Sequence, residues 1–258
     1  MRPEPVPPKT VRLDQLLFES GLFTSREKAR RAVMAGVVLV DGERVDKPGT
    51  PIKSAARLEL LQNTEPFVSR AGRKLAHALA TFAVDPQGLV CLDIGASTGG
   101  FTDCLLQGGA RRVYAFDVGY GQLDSRLRQD ERVVVRERIN ARHLERSDVP
   151  EPIDLATVDV SFISLLKVVP AMLPLLAPGA TLLTLVKPQF EAGRHEIGKG
   201  GIVRSEAIRR AVIDTRVAEL AALGLELRGL VDCELKGMEG NQEAFAHFRL
   251  PGAAAEAS

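Results

Sequence analysis

The sequence predicts an α/β protein: a mainly parallel, doubly wound sheet preceded by a small αα–β-hairpin unit. Two observations carry this expectation. From residue 89 onward, short apolar runs rich in Val, Leu and Ile alternate with longer helical patterns, as βαβ crossovers require. Between residues 11 and 60 two short helical patterns are followed by an apolar run that turns back on itself at Asp41-Gly42.

In the first unit, Leu13, Leu16 and Leu17 stand at i, i+3, i+4 spacing and predict a helix. After Gly21, Thr24-Ser25-Arg26-Glu27 reads as a capping box with Thr24 as cap, opening a second helix whose apolar face is Ala29, Ala32 and Val33. Gly36 supplies its stop. Its other faces carry Arg26, Lys28, Arg30 and Arg31, a cationic surface suited to phosphates. Residues 62–69 read as a linker, with residues 1–10 a proline-rich leader and 252–258 a tail.

In the second unit (70–251) the strand candidates are Leu89–Ile94, Val113–Asp117, Ile153–Asp159, Thr181–Val186, Leu225–Val231 and Phe245–Leu250. The best-marked helix runs from Ser205, its N-cap, to Leu223, with Gly224 as its stop. Val168 to Val186 is uncharged but is broken by Pro170, Pro174 and Pro178-Gly179, so a buried helix, a turn and a strand are expected rather than a membrane span.

Composition agrees with a globular chain. The 258 residues are 45% hydrophobic and 26% charged, and mean hydropathy is +0.01. Disorder, a collagen-like fibre and a polytopic membrane protein are excluded. Cys91, Cys104 and Cys233 are odd in number and widely spaced. They suggest buried thiols in a cytoplasmic protein rather than disulfides or a zinc site.

The first strand ends in DIGASTGGFTD, where Gly95, Gly99 and Gly100 allow a tight turn and close approach of a ligand to the backbone. Asp117 closes the next strand twenty-two positions after Gly95, near the ~20-residue offset at which a carboxylate meets an adenosine ribose. Ser97 stands where a dinucleotide fingerprint needs glycine, and Asp93 suits a cationic amino-acid group better than a diphosphate. The pattern favours S-adenosylmethionine. Gly193 to Lys199 has P-loop spacing, but Gly200 replaces the required hydroxyl residue, which makes a lid loop the better reading.

Methylating a hydroxyl requires its proton to leave during attack, and a lysine set by neighbouring carboxylates can accept it. Asp159 and Lys187 end buried apolar strands at the edge where open α/β sheets bind ligands. Residue types alone leave Lys74 and Arg73 equivalent, and likewise Glu243, Glu234 and Glu239.

Two resemblances extend this reading. RLDQLL and SREKARRAVMAGVVLVDGERVDKPG resemble the alpha-L RNA-binding module found in a ribosomal small-subunit protein, tyrosyl-tRNA synthetases and pseudouridine synthases. VSRAGRKLAHAL, VCLDIGASTGGFTDCLLQGGA, VYAFDVGYGQL, RINARHL, DLATVDVSFISL, LVKPQFEAGR, GKGGIVR and GNQEAF resemble, in order, the TlyA-type (hemolysin A) ribosomal RNA 2′-O-methyltransferases, whose catalytic domain is FtsJ-like.

The resemblance implies a Rossmann-like class I methyltransferase sheet, cytidine in ribosomal RNA or ribosomal subunits as target, and no obligatory protein partner. It implies a tetrad of Lys74, Asp159, Lys187 and Glu243, with Lys187 nearest the reacting hydroxyl. It implies Asp93, Gly95, Ser97, Gly99, Gly100, Asp117 and Asn140 at the cofactor. Arg70 and Arg73 beside Lys74 join Arg26, Lys28, Arg30 and Arg31 as expected RNA contacts. Ala71, Cys233-Glu234-Leu235 and Ala244 depart from the family's usual residues, which affects packing around Glu243.

Two other functions compete. A non-catalytic ribosome assembly factor would not need four intact tetrad positions. A membrane-active hemolysin would need an amphipathic basic helix or a span, and the sequence offers neither. The net charge of +1 does not argue against RNA: residues 1–76 carry +5 and the remainder −4.

Overall fold

The computed structural model describes residues 10–34, 36–61, 65–193, 197–198, 201–203, 205–237 and 240–252. The chain divides into two compact units at Thr64/Glu65.

The first unit contains β1 (Thr10–Arg12), α1 (Leu13–Glu19), α2 (Arg26–Met34), β2 (Val38–Val40), β3 (Glu43–Arg44), β4 (Pro51–Lys53) and β5 (Leu58–Leu60). Leu13, Leu17, Ala29, Val33, Val38 and Val40 form its core, so the two helices pack their predicted faces together and onto the hairpin. Thr10 pairs with Lys53, which makes it strand rather than leader; the rest of the leader lies outside the described residues. The cap of α2 is Ser25, whose Oγ accepts from the Lys28 amide at 3.2 Å, and not Thr24. A serine one residue later gives the same Ncap-to-N3 spacing, and the sequence offered both hydroxyls in a row. Gly36 ends the helix at φ +68°, and Asp41-Gly42 turn the hairpin with φ of +51° and +85°.

The second unit contains α3 (Ala71–Phe82), β6 (Val90–Ile94), α4 (Gly100–Gln107), β7 (Arg112–Asp117), α5 (Ser125–Arg128) and β8 (Val133–Glu137), then β9 (Ile153–Val158) and α6 (Val169–Met172). It continues with β10 (Leu176–Val186), α7 (Pro188–Glu191), α8 (Glu206–Ala221), β11 (Glu226–Asp232) and β12 (Ala244–Arg249). The sheet order is β11-β12-β10-β9-β6-β7-β8, with every pair parallel except those made by β12. Successive strands run outward in opposite directions from β6 and β9, so the sheet reverses there. In open α/β sheets the ligand crevice forms at the carboxyl ends of such strands.

Several expectations need correction. β8 was not among the predicted strands; it is a short edge strand whose three consecutive valines are flanked on both sides by Arg and Glu. The uncharged stretch holds one α-helical turn followed by a 3-10 turn at Leu173–Leu175, and Pro178-Gly179 is an irregularity inside β10, where the register to β9 shifts between Leu176 and Thr181. Residues 65–69 belong to the second unit: Phe67 and Val68 pack on its core, and the Val68 amide donates to Asp103 at 2.7 Å. The tail from residue 253 lies outside the described residues. α8 follows expectation, with Ser205 Oγ accepting from the Ile208 amide at 3.3 Å. Among the described residues no helix is long and apolar enough to cross a membrane.

Candidate active site

Two adjoining clefts open at the β6/β9 edge, with volumes of about 590 and 810 Å³. Gly95, Ser97, Asp159 and Phe162 line both.

The smaller cleft gathers Lys74, Asp159, Lys187 and Glu243 from four separate parts of the chain. Lys74 comes from α3, which forms because Leu75, Ala78 and Leu79 share one buried face and which closes on Ala83 in the left-handed region. Its Nζ donates to Glu243 Oε2 at 2.6 Å. Asp159 follows the last residue of β9, and Lys187 follows the last of β10; their Oδ1 and Nζ lie 2.5 Å apart. Lys187 Nζ also donates to Ser161 Oγ at 3.1 Å. Glu243, just before β12, is only 2% exposed. The buried Glu243 and the half-buried Asp159 each have a cation at hydrogen-bond distance, the condition under which charges tolerate burial.

The expected cofactor residues divide. Gly95 and Ser97 line both clefts, Gly100 the smaller, and Asp117 and Asn140 the larger. Asp117 is oriented by two amides, from Ser97 at 2.7 Å and Gly119 at 2.6 Å. Asn140 caps the turn at residues 141–143 by accepting from the Arg142 amide. Gly99 lines neither cleft. It caps α4 at φ +96°, backbone that favours glycine.

Asp93 also reaches neither cleft. Its carboxyl is fully buried and accepts from Thr102 Oγ1 at 2.7 Å and Thr157 Oγ1 at 3.2 Å. Burial pushes it up to about 7, although the two threonine hydrogen bonds oppose the shift. A direct ion pair between Asp93 and a cofactor ammonium is not available in this arrangement.

The expected RNA contacts divide as well. Lys28 and Arg30 are exposed on α2, while the Arg31 side chain lies outside the described residues. Arg26 is committed to its own fold: with Arg12 it flanks the buried Asp14 carboxylate, both at 3.1 Å. Arg70 is exposed on the smaller cleft. Arg73 pairs with Glu65 at 3.6 Å.

The structure adds residues that the sequence did not single out. Gln189 donates its Nε2 to Glu243 Oε1 at 3.4 Å. Glu191, at the end of α7, accepts from the Leu165 amide at 2.8 Å and pairs with Arg216 of α8 at 2.8 Å. One carboxylate thus ties the segment after Lys187 to the segment after Asp159, and its burial raises its proton affinity. Asn241 accepts from the Val203 amide and donates to the Gly201 carbonyl, both at 3.0 Å, so the residues just after the expected lid are pinned beside Glu243, while most of the expected lid itself lies outside the described residues. Phe162 adopts φ +63° and packs against Phe190 in a tilted arrangement, with centroids 4.8 Å apart and an interplanar angle of 50°. Proximity in the motifs KPQFE and GNQEAF was the available signal for Gln189, Glu191 and Asn241.

The glycine turn fits an adenosine-containing cofactor. A Cβ on Gly95, at φ +86°, would stand 2.1 Å from the Asp159 carbonyl oxygen, so the turn holds its narrow cradle only with glycine. It leads directly into the N-terminus of α4, whose amides favour an anionic group such as a carboxylate.

Comparison with known proteins follows the same division. The FtsJ-like methyltransferase family matches residues 67–250, and the S4 domain matches residues 11–58. A Mycobacterium tuberculosis protein named 16S/23S rRNA (cytidine-2′-O)-methyltransferase TlyA is 41% identical, over 93% of this chain and 90% of its own length. Hemolysin A of Brachyspira hyodysenteriae is also 41% identical, over 92% of this chain and 99% of its own. A solved structure from Streptococcus thermophilus is 44% identical, with a TM-score of 0.74 over 98% of this chain and 94% of that one.

Proposed function

The chain belongs to the FtsJ-like methyltransferase family, and on that premise we propose that it methylates the ribose 2′-hydroxyl of ribosomal RNA, with cytidine as the target nucleoside. The observation that carries this reading is the convergence of Lys74–Glu243 and Lys187–Asp159 on one cleft beside the Gly95 turn. Gly95, Ser97, Gly100, Asp117 and Asn140 would hold S-adenosylmethionine. When bound, that cofactor supplies an electrophilic methyl group.

The chain's own residues handle the proton. Lys187, as the free amine, takes the 2′-hydroxyl proton while the ribose oxygen accepts the methyl group, and Asp159 holds the ammonium that forms. Lys74 and Glu243 form a second pair that balances charge in the cleft and fixes the far wall. Asp93 acts from below, bonded to Thr102 of α4 and Thr157 of β9, and braces the turn. The first unit, with Lys28 and Arg30 exposed, supplies phosphate contacts. Ribosomal RNA as substrate places the work in the cytoplasm.

The test is transfer of labelled methyl from S-adenosylmethionine to ribosomal RNA and to subunits from cells lacking the enzyme. Transfer by the wild type is expected. Lys187→Ala should lower it by at least about 100-fold, the usual scale of general-base removal, with cofactor affinity unchanged by titration. A folded, cofactor-binding wild type that transfers no methyl group to either substrate refutes the proposal.

A further inference from the structure

We propose that Gln189 is a substrate-contacting residue whose side-chain carbonyl accepts a hydrogen bond from the target ribose 2′-hydroxyl. The inference rests on the methyltransferase reading above and adds a fifth polar group to the four already placed in the cleft.

Three observations lead to it. Gln189 lies in α7, two positions after Lys187, and lines the same cleft as Lys74, Asp159, Lys187 and Glu243. Its amide is fixed in orientation: Nε2 faces Glu243 Oε1 at 3.4 Å. A carboxylate that receives Lys74 on its other oxygen is an acceptor, so only the NH₂ end can face it. The carbonyl is therefore directed away from Glu243, and among the described residues Oε1 is buried with no hydrogen-bond partner. A buried acceptor left without a donor is costly and uncommon, and it marks a place where a ligand group or water belongs.

The two cleft lysines are already engaged, Lys74 by Glu243 and Lys187 by Asp159 and Ser161. None of the other described residues of the cleft, Ser69, Arg70 and Lys236 included, donates to Gln189 Oε1 either, which leaves this acceptor to a group that enters the cleft. Within an RNA chain the 3′ and 5′ oxygens are esterified, so the 2′-hydroxyl is the free ribose donor. While Lys187 carries all its protons it is a donor only and can approach the ribose oxygen but not the hydroxyl hydrogen. The Gln189 carbonyl takes that hydrogen and turns an oxygen lone pair toward the cofactor side. Once the Lys187 ammonium has given one proton to solvent, its free amine takes the hydroxyl proton as the ribose oxygen accepts the methyl group, as in the general-base step.

The test compares binding of two RNAs, identical except for 2′-OH or 2′-H at the target nucleotide. It uses the smallest rRNA fragment or reconstituted subunit that the wild type methylates, with S-adenosylhomocysteine present. The wild type is expected to prefer the hydroxyl form by about 3- to 10-fold, the worth of one neutral hydrogen bond. Gln189→Met, near in volume but without hydrogen bonds, should lose that preference while binding the deoxy RNA and S-adenosylhomocysteine as the wild type does. Gln189→Ala is measured on the same pair, so a folding defect in one variant does not decide the outcome. A preference retained in either folded variant, or absent from the wild type, overturns the inference and leaves the function standing. A wild type that methylates nothing overturns both.

Discussion

Replacing Asp93 by Asn tests whether the turn is braced by a buried, protonatable carboxyl. Asp93 is fully buried, and burial raises it from 3.8 to about 7. Three units correspond to roughly 4 kcal/mol at 1.36 kcal/mol per unit. The folded state binds this proton more tightly than the unfolded chain. The stabilisation is therefore fully present below the unfolded value and is lost as pH rises through the folded one. Between pH 5 and pH 8 the loss is about 2–3 kcal/mol.

Asn cannot ionise, yet it fits the same space, and the hydroxyls of Thr102 and Thr157 can rotate to meet either end of an amide. Urea unfolding of both proteins at half-unit steps across that range should show Asp93→Asn gaining about 2–3 kcal/mol on the wild type as pH rises. A difference that stays constant with pH would mean that Asp93 is already charged in the fold, and the account of the brace would be wrong.

Two further substitutions probe the rest of the design. Gly95→Ala forces a Cβ to within 2.1 Å of a backbone oxygen at φ +86°, so a loss above about 2 kcal/mol is expected from backbone strain and collision. Calorimetric titration should show S-adenosylmethionine binding lost with it, and a variant of wild-type stability and affinity would contradict the cradle. Lys28→Ala with Arg30→Ala should weaken RNA binding across sequences and reduce the slope of log K against log salt by about 1 per contact. Filter binding over a salt series reads this directly, and an unchanged slope would remove the two residues from the interface.

The fold was largely legible because β6, β7, β9 and β10 are apolar runs separated by turn residues. β8 was not, since a half-exposed edge strand with charges at its end lacks that contrast. At the site, residues one position past a strand, such as Asp159 and Lys187, were readable from the break in hydrophobicity. Asp93 was misread for a physical reason. β6 is central and buried along its whole length, so its sequence carries no alternation to show which way a polar side chain points. Gln189 could not be found from spacing, because its role depends on Glu243, fifty-four positions away.

Glu243 precedes β12, which slots antiparallel between β10 and β11, and it meets Lys74 across 169 positions of chain. The closing of that gap is a long-range event in folding, and chains emerge from synthesis N-terminus first. A partly made chain can display the cationic helix of its first unit and even shape the Gly95 turn, yet it lacks one wall of the cleft. On the proposed function, RNA capture would become possible before chemistry does, and the segment that brings Glu243 beside Lys74 would be the one that completes the cleft.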